Sequence, residues 1–263
     1  MRKTILRKIL AYSVLALVVL QSCKDDSNLV AKPPIPDQSF VQEFDTLSSA
    51  QLQGWILANR SVPIGRGVWE QGMTGQQVGI VHTAYSSKST QFGFISADYT
   101  VCHDAGPGGG TISCWAISPA RIMQNGDKII FYTRCPDSLS RWFDRLQVCV
   151  NKYNNGFKTG LGDDVGDFDL KLLDINPQNA SGTPVNAFGV PVPAAYAYIP
   201  FIYSATQAYP TEWTRFEAKV DGLNGPTEGR FGLRYYVPYG GDDGRGNHIS
   251  IDSVAYVSIS KGK

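Results

Sequence analysis

Four carboxylates spaced along this 263-residue chain have the chemistry of a hard-cation site. Glu43 and Asp45 lie two apart, so in a strand both side chains leave the same face. Asp252 falls in the last apolar run, which a jelly roll brings beside the first, and Asp98 follows Phe94-Ile95-Ser96-Ala97. With backbone carbonyls these four are the expected oxygen shell of a structural calcium ion, which takes 6 to 8 oxygens. The alternative is that Asp45 caps a turn and Asp252 hydrogen-bonds backbone. A second group is aromatic: Tyr196, Tyr198, Phe201, Tyr203 and Tyr209 crowd a Pro-rich stretch that starts at Val190. Prolines discourage a central strand there, and tyrosines combine an apolar face with a hydroxyl, which suits stacking on sugar rings. These five are the expected ligand-binding residues, against the alternative of a loop folded onto the core.

Other patterns carry less chemistry. Gly106 to Gly110 lacks the Lys-Ser/Thr and the helix start of a phosphate loop. Asp163, Asp164, Asp167 and Asp169 lack the closing Glu and the helices of an EF-hand and read as an acidic turn. No nucleophile elbow is present. Asp144 with Glu217 is a carboxylate pair for glycoside hydrolysis only if the fold sets them across a cleft. The expectation is therefore a protein that binds and is not an enzyme.

The elements that must hold these residues are strands. Ile129 to Cys135 and Arg145 to Val150 alternate apolar and polar residues. Further runs cover Phe40 to Phe44, Trp55 to Asn59, Phe92 to Ala97, Ser113 to Ile117, Asp169 to Leu173, Thr214 to Val220, Arg230 to Val237 and His248 to Ile259. Turn chemistry separates them, as at Gln124-Asn125-Gly126-Asp127. About ten short antiparallel strands joined by long connections predict an all-β jelly-roll sandwich in a single domain over residues 40–263. The first and last strands are expected to pair at the middle of one sheet.

The chain's start gives its address. Arg2, Lys3, Arg7 and Lys8 precede an apolar run from Ile9 to Leu20, a secretory signal too short for comfortable spanning. Leu20-Gln21-Ser22-Cys23 resembles the lipobox of a bacterial lipoprotein, which implies a signal peptide over residues 1–22 and lipidation of Cys23. Lys24-Asp25-Asp26 resembles the acidic export signal of Bacteroidetes surface lipoproteins, implying an outer-membrane protein facing the exterior. Residues 23–39 form a Pro-rich tether. Without residues 1–22, which hold four of the 24 Lys+Arg, 20 cations face 23 Asp+Glu, a net of −3. With no basic run left, nucleic acid is not an expected partner; outer-membrane lipid through Cys23 is, with a glycan or a surface protein as ligand.

Lipidation of Cys23 leaves an even four cysteines, as disulfides require in an exported chain. Cys102 with Cys114 and Cys135 with Cys149 are the favoured pairs, the second because its two strands read as neighbours. Buried thiols are the alternative; scattered His82, His103 and His248 argue against zinc.

A run of motifs then resembles a family. Glu43-Phe44-Asp45, Gly54-Trp55, Ile117-Ser118-Pro119, Asn125-Gly126-Asp127, Asp144 to Val148, Trp213-Thr214, Arg234 to Val237 and Ile251 to Val254 occur in the order of the choice-of-anchor J domain. The resemblance spans about Phe40 to Ile259. It implies a sandwich related to cleaved-adhesin and MAM-like jelly rolls, calcium as a structural staple, and no catalytic residues. The four cysteines and the length of Ser181 to Pro210 depart from the pattern. The function expected is a lipid-anchored surface binding or adhesion module for carbohydrate or another surface polymer; the alternatives are a protein-binding adhesin and a glycoside hydrolase.

Overall fold

Two antiparallel sheets enclose one core. The computed structural model describes residues 34–72, 83–86, 92–103, 109–136, 143–177, 209–241 and 244–260. One compact unit runs from Pro36 to Lys263; the other, Met1 to Ile35, lies almost wholly outside the described residues. Among the described residues, no helix is long and apolar enough to cross a membrane.

The first sheet holds β1 (Phe40–Gln42), β3 (Glu70–Gln71), β4 (Ile95–Asp98), β7 (Lys128–Arg134), β10 (Thr214–Lys219) and β12 (His248–Val257). Its order is β10-β7-β12-β4-β3, with β1 also on β12, so the first and last strands meet at mid-sheet as expected. The second sheet holds β2 (Ile56–Asn59), β5 (Gly110–Ile117), β6 (Arg121–Met123), β8 (Leu146–Asn151), β9 (Leu170–Ile175) and β11 (Thr227–Gly240). It runs β2-β5-β11-β8-β9, with β6 on the start of β11. All pairs are antiparallel, so the structure is the expected jelly-roll sandwich. It adds two short strands, β3 and β6, and a helix, α1 (Leu47–Leu52), to the runs read from sequence.

Alternation decides which side chains meet between the sheets. In β7, Ile129, Phe131 and Thr133 point inward; in β11, Phe231, Leu233, Tyr235 and Val237 do. Aromatic rings knit the layers: Phe40 stacks near Phe231 and Tyr256, and Trp55 meets Phe44 edge-on at 5.0 Å. The turn at Gln124-Asn125-Gly126-Asp127 needs its glycine, at φ 101°. Asp127 then accepts from Gln124 N at 2.7 Å and Ile259 N at 2.8 Å, and from the Tyr256 hydroxyl, tying the hairpin to the last strand.

Cys102, Cys114, Cys135 and Cys149 are buried thiols, which corrects the expected bridges. β7 and β8 are not neighbours but belong to different sheets. Cys135, just past β7, lies in the intersheet core, while Cys149 belongs to the separate cluster of Trp115, Ile117 and Phe168. Parity in β8 sends Leu146, Val148 and Val150 inward and Cys149 outward, so the sheet itself stands between the two sulfurs. The Cys102 thiol points at the carbonyls of Val62 and His103, 3.7 and 3.6 Å away. That of Cys114 faces the backbone of Trp69 and Trp115.

Candidate functional site

The outer face of the second sheet carries rows of polar and aromatic side chains where solvent-facing residues would ordinarily be unconnected. Register sets Trp115 of β5, Arg234 of β11, Gln147 of β8 and Asp174 of β9 side by side across four strands. Cross-strand neighbours this close must interact. Arg234 is 1% exposed and donates to Ser113 Oγ at 3.0 Å, Gln147 Oε1 at 3.1 Å and the Gly162 carbonyl. Its guanidinium lies 4.0 Å from the Tyr236 ring centre and 5.1 Å from that of Trp115. Burial pushes its pKa down to about 10, so it stays charged.

One row further, Arg145 packs 5.0 Å from the Tyr236 ring centre and grips Asp174 with two bonds of 2.7 Å. Asp174 also accepts from Lys171 Nζ at 2.7 Å and Gln147 Nε2 at 3.2 Å. Burial works to raise this carboxyl, but the bonds from Arg145 and Lys171 outweigh it and hold it below its ordinary value.

The segment after β8 folds back to form the opposite wall. Phe168 packs on Trp115 at 5.3 Å, and Asp163 accepts from the Tyr236 hydroxyl at 2.8 Å. Asp164 holds the turn by accepting from Gly166 N at 2.9 Å. Gly166 sits at φ 59°, and a Cβ there would lie 2.6 Å from the Lys158 carbonyl, so the wall requires glycine. Between wall and sheet is a cleft of about 360 Å³ lined on its polar side by Arg145, Gln147, Asp163, Asp169, Lys171 and Tyr236. A second cleft of about 270 Å³ is lined by Lys152, Tyr153, Leu223 and Asn224. Asp169 links them: it lines the first, accepts from the hydroxyl of Tyr153 and pairs at 3.4 Å with Lys152, both of which line the second. Tyr153 is 59% exposed, with the Lys152 ammonium 5.3 Å from its ring centre. The arrangement offers fixed donors, fixed acceptors and two rings. Cys149, on its floor, is held protonated by burial, at about 11, so it is no nucleophile at neutral pH.

The residues expected from sequence lie elsewhere. Tyr209 is not a ligand platform: it is fully buried, with its hydroxyl 2.7 Å from Thr133 Oγ1. Beside it, Cys135 N bonds the Pro210 carbonyl at 2.7 Å. Tyr196, Tyr198, Phe201, Tyr203 and Cys23 lie outside the described residues. Of the four carboxylates, Glu43 and Asp252 come together closely enough for Glu43 to raise the Asp252 carboxyl, after the larger effect of burial, to about 7. Asp252 already accepts from Ser86 N at 3.0 Å and Ser253 N at 2.6 Å. Asp98 is not with them. It pairs across from His248, four residues or about 13 Å from Asp252 along β12, and caps a 3-10 turn by accepting from Thr100 N at 2.9 Å. Asp45 is half-buried beside Phe44. Among the described residues, no three acidic, His or Cys side chains form a metal-sized group. The four-carboxylate shell therefore does not assemble; a pair remains. Asp144 and Glu217 do not share a cleft either: Asp144 is sealed under Tyr235 and Asn247, and Glu217 bonds Lys128 and Arg215 on β10.

Sequence marks Asp163 and Asp169 only as an acidic turn and Cys149 only as a disulfide partner; for the other cleft residues on β8 and β11, outward parity is the sequence signal. Arg145, Gln147 and Cys149, then Arg234 and Tyr236, occupy solvent-side positions yet are themselves buried or half-buried.

No family model and no curated protein matches the chain. Among solved structures, the K1 cleaved adhesin domain of Lys-gingipain from Porphyromonas gingivalis W83 is similar over 84% of this chain and 98% of that one, at 14% identity and a TM-score of 0.46. The K3 cleaved adhesin domain of the same protein gives 13%, 0.45, and coverage of 85% and 100%. A xylan-binding module gives 8%, 0.34, and coverage of 78% and 98%.

Proposed function

We propose that this protein is a non-enzymatic binding module, lipid-anchored at Cys23 on the outer face of the outer membrane, that holds a surface carbohydrate along the outer face of its second sheet. The observation that carries this reading is the pair of clefts linked through Asp169, which bring together preset acceptors (Asp163, Asp169), donors (Lys171, Arg145, Gln147) and the exposed Tyr153 ring. Sugars need this mixture of hydroxyl partners and an apolar face. The resemblance to the choice-of-anchor J domain points the same way. Calcium belongs to this reading as a staple at Glu43 and Asp252, with backbone carbonyls completing its shell.

The test is retention on a panel of polysaccharides. Asp169→Ala and Tyr153→Ala should each weaken binding about fivefold or more without changing the melting temperature. If only a Tyr196, Tyr198 and Tyr203 triple alanine variant loses binding, the ligand lies on that stretch and not in the groove. If no polysaccharide is retained while cell-surface proteins are, the protein-binding adhesin reading replaces this one. Cys23→Ser should release the protein from the membrane fraction, and protease added to intact cells should cleave the anchored form.

A further inference from the structure

Charged side chains crowd the groove. Four cations line it, Arg145, Lys152, Lys171 and Arg234, and three carboxylates line it or bond those cations, Asp163, Asp169 and Asp174. The pairing is uneven. Asp174 serves two cations, Arg145 and Lys171, while Lys152 takes Asp169. Among the described residues Arg234 bonds neutral partners, Ser113, Gln147 and the Gly162 carbonyl, and its guanidinium shares the Tyr236 ring with that of Arg145. Two like charges thus flank one ring, with Asp174 bonded to Arg145 and not to Arg234. Arg145 gives Nε and Nη2 to Asp174, which leaves its Nη1 as a further donor, and Lys171 spends one of its three hydrogens on the same carboxylate.

Resting on the carbohydrate reading above, we infer that the cleft takes an acidic polysaccharide, with the carboxylate of a uronate residue held between Arg145 Nη1 and the Lys171 ammonium. Two cationic donor groups suit the two oxygens of a planar carboxylate, and charge-assisted bonds are about twice as strong as neutral ones. The sugar hydroxyls then fall to Asp163 and Asp169, which accept only. Of the two, Asp169 is paired with Lys152, and Asp163 accepts from the Tyr236 hydroxyl.

Isothermal titration of the purified protein with sodium polygalacturonate and alginate, with methyl-esterified polygalacturonate and with dextran sulfate tests this. The acidic chains should bind about tenfold or more tighter than the ester, and raising NaCl from about 0.05 M to about 0.5 M should erase most of that gain. Lys171→Gln, at a half-exposed position, should remove the preference and leave the melting temperature unchanged. A neutral chain bound equally well, or Lys171→Gln with its preference intact, overturns the carboxylate site while the carbohydrate reading stands. Tighter binding of dextran sulfate overturns it in favour of sulfate. Folded protein that binds no polysaccharide overturns both.

Discussion

Asp252 should make the protein less stable as pH rises, and its replacement should abolish that slope. An aspartate in an unfolded chain titrates near 3.9; in the folded protein burial, with the charge of Glu43, lifts this carboxyl to about 7. Between these values the folded chain holds a proton that the unfolded chain has lost, so stability is full below about pH 4 and declines until the folded carboxyl ionises. Three units at about 1.36 kcal/mol each give about 4 kcal/mol. The ionised carboxylate keeps its bonds from the N–H groups of Ser86 and Ser253, and relaxation around a buried charge lowers its cost, so about 2–4 kcal/mol is expected. Asp252→Asn removes the titration, although its Nδ2 cannot accept the backbone N–H that one carboxylate oxygen now takes. Urea unfolding with a chelator present should show the stability of the variant, relative to the native protein, rising by about 2–4 kcal/mol between pH 4.5 and pH 8.5. Asp144, raised by burial to about 6, and His248, lowered by burial to about 4, titrate in both proteins and cancel in the difference. Calcium should remove that rise, because a cation between Glu43 and Asp252 favours the ionised form. A difference that stays constant with pH would refute the reasoning.

Three further outcomes follow from the packing. Arg145→Ala should cost about 2–4 kcal/mol in denaturant unfolding, since Asp174 is 13% exposed at its side chain and would lose its bidentate partner; a loss under about 0.5 kcal/mol would mean the pair behaves as a surface bridge. A thiol reagent should find no reactive cysteine among Cys102, Cys114, Cys135 and Cys149 in the folded protein and all four after unfolding without reductant; two or none would restore the bridges. Tyr209→Ala should destabilise by about 3–5 kcal/mol and Tyr209→Phe by about 1 kcal/mol, and loss of ligand binding in a stable Tyr209→Phe protein would return Tyr209 to the binding surface.

The sandwich was legible because period-two alternation is a local signal that burial enforces: a run such as Lys128 to Arg134 has only one face it can bury. Boundaries strayed where pairing, not polarity, ends a strand, as at Phe44, whose φ of 53° turns the chain out of β1. β3 and β6 escaped because two or three residues cannot show a period. Adjacency in sequence suggests adjacency in space, yet a jelly roll sends successive runs to opposite sheets, and that topology separates Cys135 from Cys149. The site was least legible of all. Its rows are assembled from β5, β8, β9 and β11 by register, a relation among residues about 30 to 120 positions apart.

Arg234 shows why that face is more than a covered surface. The intersheet side of the same strand is built from Phe231, Leu233, Tyr235 and Val237, so the strand has no shortage of apolar alternatives. Burying a guanidinium costs several kcal/mol, and its bonds among the described residues go to neutral acceptors, which offset less of that cost than a carboxylate would. Phe168 and Val165 already cover the apolar half of the face over Trp115 and Cys149, so stability alone would be served by extending that cover across Arg234. Instead the wall stops at Asp163 and leaves Tyr236, Arg145 and Lys171 along an open edge. A charge kept at that cost, clamped by three neutral acceptors and packed against two rings, is a fixed positive field at the floor of a cleft. Such a field stabilises whatever negative charge enters without any rearrangement on binding.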